Sequence, residues 1–184
     1  MAAKRAARTG RSVAGTIGLV FGGLWFSLGA MGLPRGLQIV VASVGFLVTI
    51  ALITTLWSRR GPAGSGAGLF RRRGYIVAVT LEVVAIYAAY KLLAPNGLQS
   101  YLIQAVGVIV GLHFIGLWQA TRLSRFLWIA GSMCVVSTVA VFLPNALDGL
   151  NLRGMVTGFG NALVLWIGAG QISMHARSNL QKNP

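Results

Sequence analysis

Apolar residues run through this chain in long blocks rather than alternating with polar ones at the period of a strand or a surface helix. Six blocks approach the roughly 20 residues a helix needs to cross the hydrocarbon core of a bilayer. They are Val13–Leu33, Leu37–Trp57, Tyr75–Pro95, Gln99–Gln119, Phe126–Pro144 and Met155–Met174. Inside a bilayer only a helix satisfies its backbone polar groups within one segment, so each block predicts a helix. Breakers separate most of them: Pro34-Arg35-Gly36, Pro95-Asn96-Gly97 and Pro144-Asn145. Such clusters end helices and form tight turns.

The pattern predicts an all-α membrane protein, a bundle of six transmembrane helices. Residues 1–12 form a basic segment, 13–57 the first two spans, 58–74 an Arg- and Gly-rich loop, 75–174 the last four spans, and 175–184 a tail. The 58–74 loop could divide the chain into a two-helix and a four-helix unit, but a loop on one compact bundle is the expectation. Residues 1–11 are Arg-rich and acid-poor like a transit peptide, which leaves an organellar membrane as the alternative to a bacterial inner membrane. The apolar run that follows exceeds the 7–15 residues of a signal core, so the first span is expected to remain uncleaved.

Composition agrees. Hydrophobic residues make up 55% of the chain and charged residues 10%, against about a quarter charged in soluble domains. A soluble fold of this length would lack the residues for a polar coat. The formal net charge is +14, which in another context would suggest nucleic acid. Here the basic residues lie between the apolar blocks, where they orient helices and meet anionic headgroups, and no nucleic-acid-binding module is present.

With the N-terminus inside, thirteen basic residues fall on the cytoplasmic side: Lys4, Arg5, Arg8, Arg11, Arg59, Arg60, Arg71, Arg72, Arg73, Arg122, Arg125, Arg177 and Lys182. Only Arg35, Lys91 and Arg153 fall outside. That bias predicts cytoplasmic N- and C-termini. Trp57, Trp118 and Trp128 then lie near the inner interface, and Tyr90 and Tyr101 near the outer one, as an aromatic belt requires.

Small residues mark the faces on which helices approach closely. Gly15, Gly18, Gly22, Gly29 and Gly32 share one stripe of the first span, Gly107 and Gly111 repeat the spacing in the fourth, and Gly154 and Gly158 in the sixth. The octets Gly18–Trp25 and Gly111–Trp118 agree at six of eight positions. They lie at different distances from their helix starts, which argues against inverted three-helix repeats.

Candidate chemistry is sparse. The chain has two acidic residues, Glu82 and Asp148, and Glu82 lies inside the third block. A charged group at mid-bilayer costs ~2.5–3.5 kcal/mol on insertion scales, so it calls for a partner. His113 of the fourth block is the natural one. Glu82 sits ~12 Å and His113 ~9 Å from the cytoplasmic edge at 1.5 Å per residue, on neighbouring antiparallel helices. The expectation is a close Glu82–His113 pair with no cavity around it, locking the bundle. Gln104 and Asn161 are secondary polar positions for interhelical hydrogen bonds. Lys91 can snorkel, Asp148 belongs to an outer loop, and Cys134 is a small buried hydrophobe. Two histidines and one cysteine suit no metal site, and no phosphate loop, nucleophile elbow or redox CxxC occurs. The sequence implies no cofactor and argues against an enzyme.

The segment VGVIVGLHFIGLWQATRLSRFLWIAG, with GFGNALVLWIGAG in the last span, resembles small six-span bacterial membrane proteins that have no assigned function. They carry a Gly-Leu-His-Phe motif in the fourth span, here Gly111-Leu112-His113-Phe114, and a Gly-rich, Trp-containing last helix. Where many members place a proline soon after the motif, this chain has Ile115-Gly116. The resemblance covers the C-terminal half. It implies a bacterial inner-membrane protein and no particular activity. Three readings follow. The first is a structural or accessory membrane protein, a homo-oligomer or a subunit held in a larger complex by its glycine faces. The second is a small proton-linked transporter or channel using Glu82 and His113. The third is a cofactor- or pigment-binding subunit with His113 as ligand.

Overall fold

The computed structural model describes residues 2–58 and 73–181, with side chains from 15 to 55, 75 to 119 and 122 to 170. Most of the 58–74 loop, with Arg59, Arg60, Arg71 and Arg72, lies outside the described residues, as do Lys182 and the side chains of Lys4, Arg5, Arg8, Arg11, Trp57, His175 and Arg177. Six α-helices follow one another: α1 Ala2–Ala30, α2 Arg35–Ser58, α3 Arg73–Leu93, α4 Leu102–Thr121, α5 Arg125–Val141 and α6 Leu152–Gln181. A 3-10 turn at Gln99–Tyr101 leads into α4. No strand occurs among the described residues, so the all-α expectation stands.

Among the described residues, three helices are long and apolar enough to cross a membrane, over Arg35–Thr55, Tyr75–Leu93 and Gln99–Gln119. Gly15–Ala30 and Arg125–Val141 are shorter apolar stretches. By length and apolarity, three of the six expected spans therefore qualify. The ends of the helices explain several shifted boundaries. α1 begins eleven residues before Val13, because the Ala, Lys and Arg residues at its start are strong helix formers that outweigh the single Gly10, and no proline interrupts them. α5 stops at Val141, since Pro144 disfavours helical backbone at the residue before it. α6 begins at Leu152, where the Asn151 side-chain oxygen accepts from the Gly154 N–H at 2.9 Å and caps the first turn. The α1–α2 turn is closed by Gln38, whose Nε2 donates to the Leu33 carbonyl at 2.7 Å and the Met31 carbonyl at 3.1 Å.

Each helix packs on its neighbours in the spatial order α2, α1, α6, α5, α4, α3. The first and last helices are thus adjacent at the middle of the array, with α2 and α3 at its two ends. No seam joins α2 to α3, whereas α5 and α6 share one. The two three-helix halves therefore differ in packing, which removes the repeat suggested by the matching octets.

Glycines account for the central seams. An added Cβ at Gly18 would reach Ala169 at 3.7 Å, at Gly29 the Phe159 ring and backbone at 2.9 Å, and at Gly32 the Asn151 carbonyl at 2.8 Å. Gly22 faces Trp166, and Gly158 meets the backbone of Gly29; Gly15 is buried. The stripe on α1 therefore lies against α6. Gly107 and Gly111 lie against Ser137 and Cys134 of α5. Gly154 departs from expectation: its nearest neighbour is Asn151 of its own first turn at 3.0 Å, so it belongs to the cap rather than to a helix seam. Around these contacts Trp25, Phe126, Ile129, Met133 and Leu165 form the buried core. Phe26 joins α1 to α6, with ring centroids 4.8 Å from Phe159 and 5.4 Å from Trp166.

Candidate functional site

Small residues bring the two helices of the candidate pair together. At Gly116 of α4 an added Cβ would stand 3.0 Å from the Ala78 methyl of α3, about one helical turn from the pair. In the antiparallel seam this sets His113 opposite Glu82, with Nδ1 3.2 Å from Oε2. The side chains are 10% and 16% exposed, respectively. The separation is within hydrogen-bond range, yet the ring N–H does not point along it, and Nδ1 has no aligned acceptor. The contact is a close polar pair short of an aligned hydrogen bond. The His113 ring stands edge-on to Phe114 at 5.9 Å, which stacks on Phe126 at 6.0 Å.

Space surrounds the pair, contrary to the expectation of a packed lock. A cavity of ≈ 180 Å³ lies on the inner side of the α3–α4 seam, lined by residues of α1, α3, α4, α5 and α6. A groove of ≈ 610 Å³ runs along the other side of the same seam, between α3 and α4 alone. Glu82 and His113 are the two residues common to both linings. They stand between a partly open space inside the bundle and its outer surface. The physical reason lies in the array: among the described residues α3 packs along α4 and shares no seam with α1, which leaves a wedge between α1 and α3.

Tyr75 and Arg125 also line the inner cavity. Both sit at helix starts on the side expected to be cytoplasmic, about 10 Å along α3 from Glu82 in the case of Tyr75. Sequence reasoning treated Arg125 only as a topological charge. Its position directly before Phe126, over whose ring the guanidinium lies at 5.0 Å, carried no signal of a cavity.

The secondary polar positions belong to a second cluster near the opposite ends of α4, α5 and α6. Gln104 Nε2 donates to the Arg153 carbonyl at 3.2 Å and to Thr157 Oγ1 at 3.1 Å, and Asn161 Nδ2 donates to Ser137 Oγ at 3.1 Å. The Gln104 and Asn161 amide oxygens are buried without a protein partner. Arg153, expected as a loop charge, is 8% exposed. Its Nε and Nη2 donate to the Leu143 carbonyl at 3.2 and 2.9 Å, and its guanidinium lies 4.2 Å over the Tyr101 ring. It clasps α4, the end of α5 and α6 together. Arg153, Thr157 and Asn161 recur every four residues, a signal that would have placed them on one face.

Lys91 is exposed, its ammonium 5.6 Å from the Tyr87 ring, and Asp148 is an exposed turn residue with φ of 50°. Cys134 packs in the α4–α5 seam, its Sγ 3.7 Å from the Val108 carbonyl. Among the described residues no group of three His, Cys, Asp or Glu side chains could hold a metal ion. No protein-family model, curated protein or solved structure matches this chain.

Proposed function

We propose that this chain is an integral membrane protein of six spans with both termini in the cytoplasm, resident in a bacterial inner membrane, and that it is a small proton-linked carrier using Glu82 and His113. One observation carries the functional reading: the pair stands between an inner cavity and an outer groove rather than in packed core. An acid and an imidazole in contact can hold one proton between them and exchange it with whatever reaches either face. For the structural or accessory reading, the α1 glycine stripe is taken up by α6 of the same chain, so a larger complex would have to be held by other faces.

The test uses purified protein reconstituted in liposomes loaded with a pH-sensitive dye. An imposed pH gradient should dissipate faster than in empty vesicles, and Glu82→Gln should return the rate to that of empty vesicles while the protein stays monodisperse. A wild-type rate equal to that of empty vesicles would sink the carrier reading.

A further inference from the structure

The inner cavity names the class of ligand. Its walls are apolar along most of their length, with Ile17, Phe21, Val79, Leu117 and Leu165 facing the space. A space lined this way favours apolar groups over water. At roughly 30 Å³ per water- or methylene-sized group, a cavity of ≈ 180 Å³ accepts about six such groups, a length of hydrocarbon chain rather than a ring system. The charges bordering it are unequal. Glu82 is the one carboxylate in the lining, and it is matched by His113 at 3.2 Å. Arg125 adds a cation at the end away from the pair, and Arg122, exposed, lies in the α4–α5 link three residues before it with its guanidinium 5.5 Å from the Trp118 ring. A ligand that places hydrocarbon in the cavity and an anion near Arg125 matches the apolar lining and the excess positive charge, while a lipophilic cation meets Arg125 as a like charge.

We propose that the wedge between α1 and α3 binds an anionic phospholipid, a segment of about six carbons of one acyl chain inside the cavity and the headgroup phosphate at Arg125. Entry is sideways, because among the described residues α1 and α3 share no seam across the cavity. The inference rests on the carrier reading in one respect, that Glu82–His113 is the working end of the same cavity, and it names the cargo by class.

Native mass spectrometry of the purified full chain, challenged with equimolar phosphatidylglycerol and phosphatidylcholine, reads the site directly. One phosphatidylglycerol per chain should be retained at least fivefold over phosphatidylcholine. Arg125→Gln should bring that ratio near one, and Arg125→Lys should keep most of it. Val79→Trp, which fills the wedge from α3, should cut retention of both lipids about tenfold; Ile17→Trp serves the same purpose from α1 should the first variant aggregate. Equal retention of the two lipids by the wild type, or unchanged retention in a folded wedge-filled variant, overturns the proposal. Selective retention without proton flux keeps the lipid site and removes the carrier. Flux without selective retention does the reverse.

Discussion

Replacing Gly158 by alanine tests the central seam most sharply. A methyl there would overlap the backbone N and Cα of Gly29 and approach the Trp25 carbonyl to 2.8 Å, where ordinary contact begins at 3.4 Å. The obstacle is backbone on the facing helix, which cannot rotate aside like a side chain. α1 and α6 must therefore separate by roughly 1 Å, loosening every contact from Gly18–Ala169 to Gly32–Met155. Overpacking of this kind costs ~1–3 kcal/mol, so ~2 kcal/mol is expected. At ~2–4 °C per kcal/mol for a chain of this length, the melting temperature should fall by ~4–8 °C. Gly131→Ala is the control, because nothing lies within 4 Å of a methyl there, and alanine's better helix propensity should leave stability unchanged or raise it by up to ~1 kcal/mol. Circular dichroism at 222 nm on both variants in one detergent gives the comparison. Equal melting temperatures would show that α1 and α6 are not in backbone contact at this position.

Glu82→Gln and His113→Leu, singly and together, should show a coupling of ~0.6–1.7 kcal/mol in stability, the range for polar contacts between membrane helices; strictly additive losses would refute the contact. Arg153→Lys keeps the charge but loses the fork that grips the Leu143 carbonyl. It should cost ~1.5–3 kcal/mol by thermal melting, and an unchanged melting temperature would reduce the clasp to an incidental contact. In a Cys134→Ala background, an impermeant thiol reagent added to intact cells should label Asp148→Cys and not Ala2→Cys. The opposite pattern would invert the proposed orientation.

Much of this was legible beforehand, for identifiable reasons. Run length and breakers specify helices because each segment must satisfy its own backbone, so Leu37–Trp57 and Tyr75–Pro95 differ from α2 and α3 by at most two residues at each end. The Glu82–His113 contact followed from depth along two helices joined by a short turn. Lateral order was not legible. Nothing in the chain states that α1 lies beside α6, and without that neighbour the wedge beside the pair has no walls. Arg153 was misplaced because a charge near a turn resembles a solvated one until Tyr101 and Leu143 are seen around it. Gly154 matched the small-residue spacing but serves the Asn151 cap.

The pairing of α1 with α6 has a consequence for biosynthesis. Helix α1 is made first of the six, yet the surface its glycines fit is made only when residues 152–170 have followed. For most of translation the stripe at Gly18, Gly22 and Gly29 has no cognate partner in its own chain. Contacts some 150 residues apart in sequence, such as Gly18 with Ala169, make this a topology closed late, with its slowest search at the end. A ribosome stalled before α6 would leave five helices and an exposed adhesive face. That face could be completed by α6 from a second copy, so nascent chains crowded at one insertion site are open to exchanging their last helix.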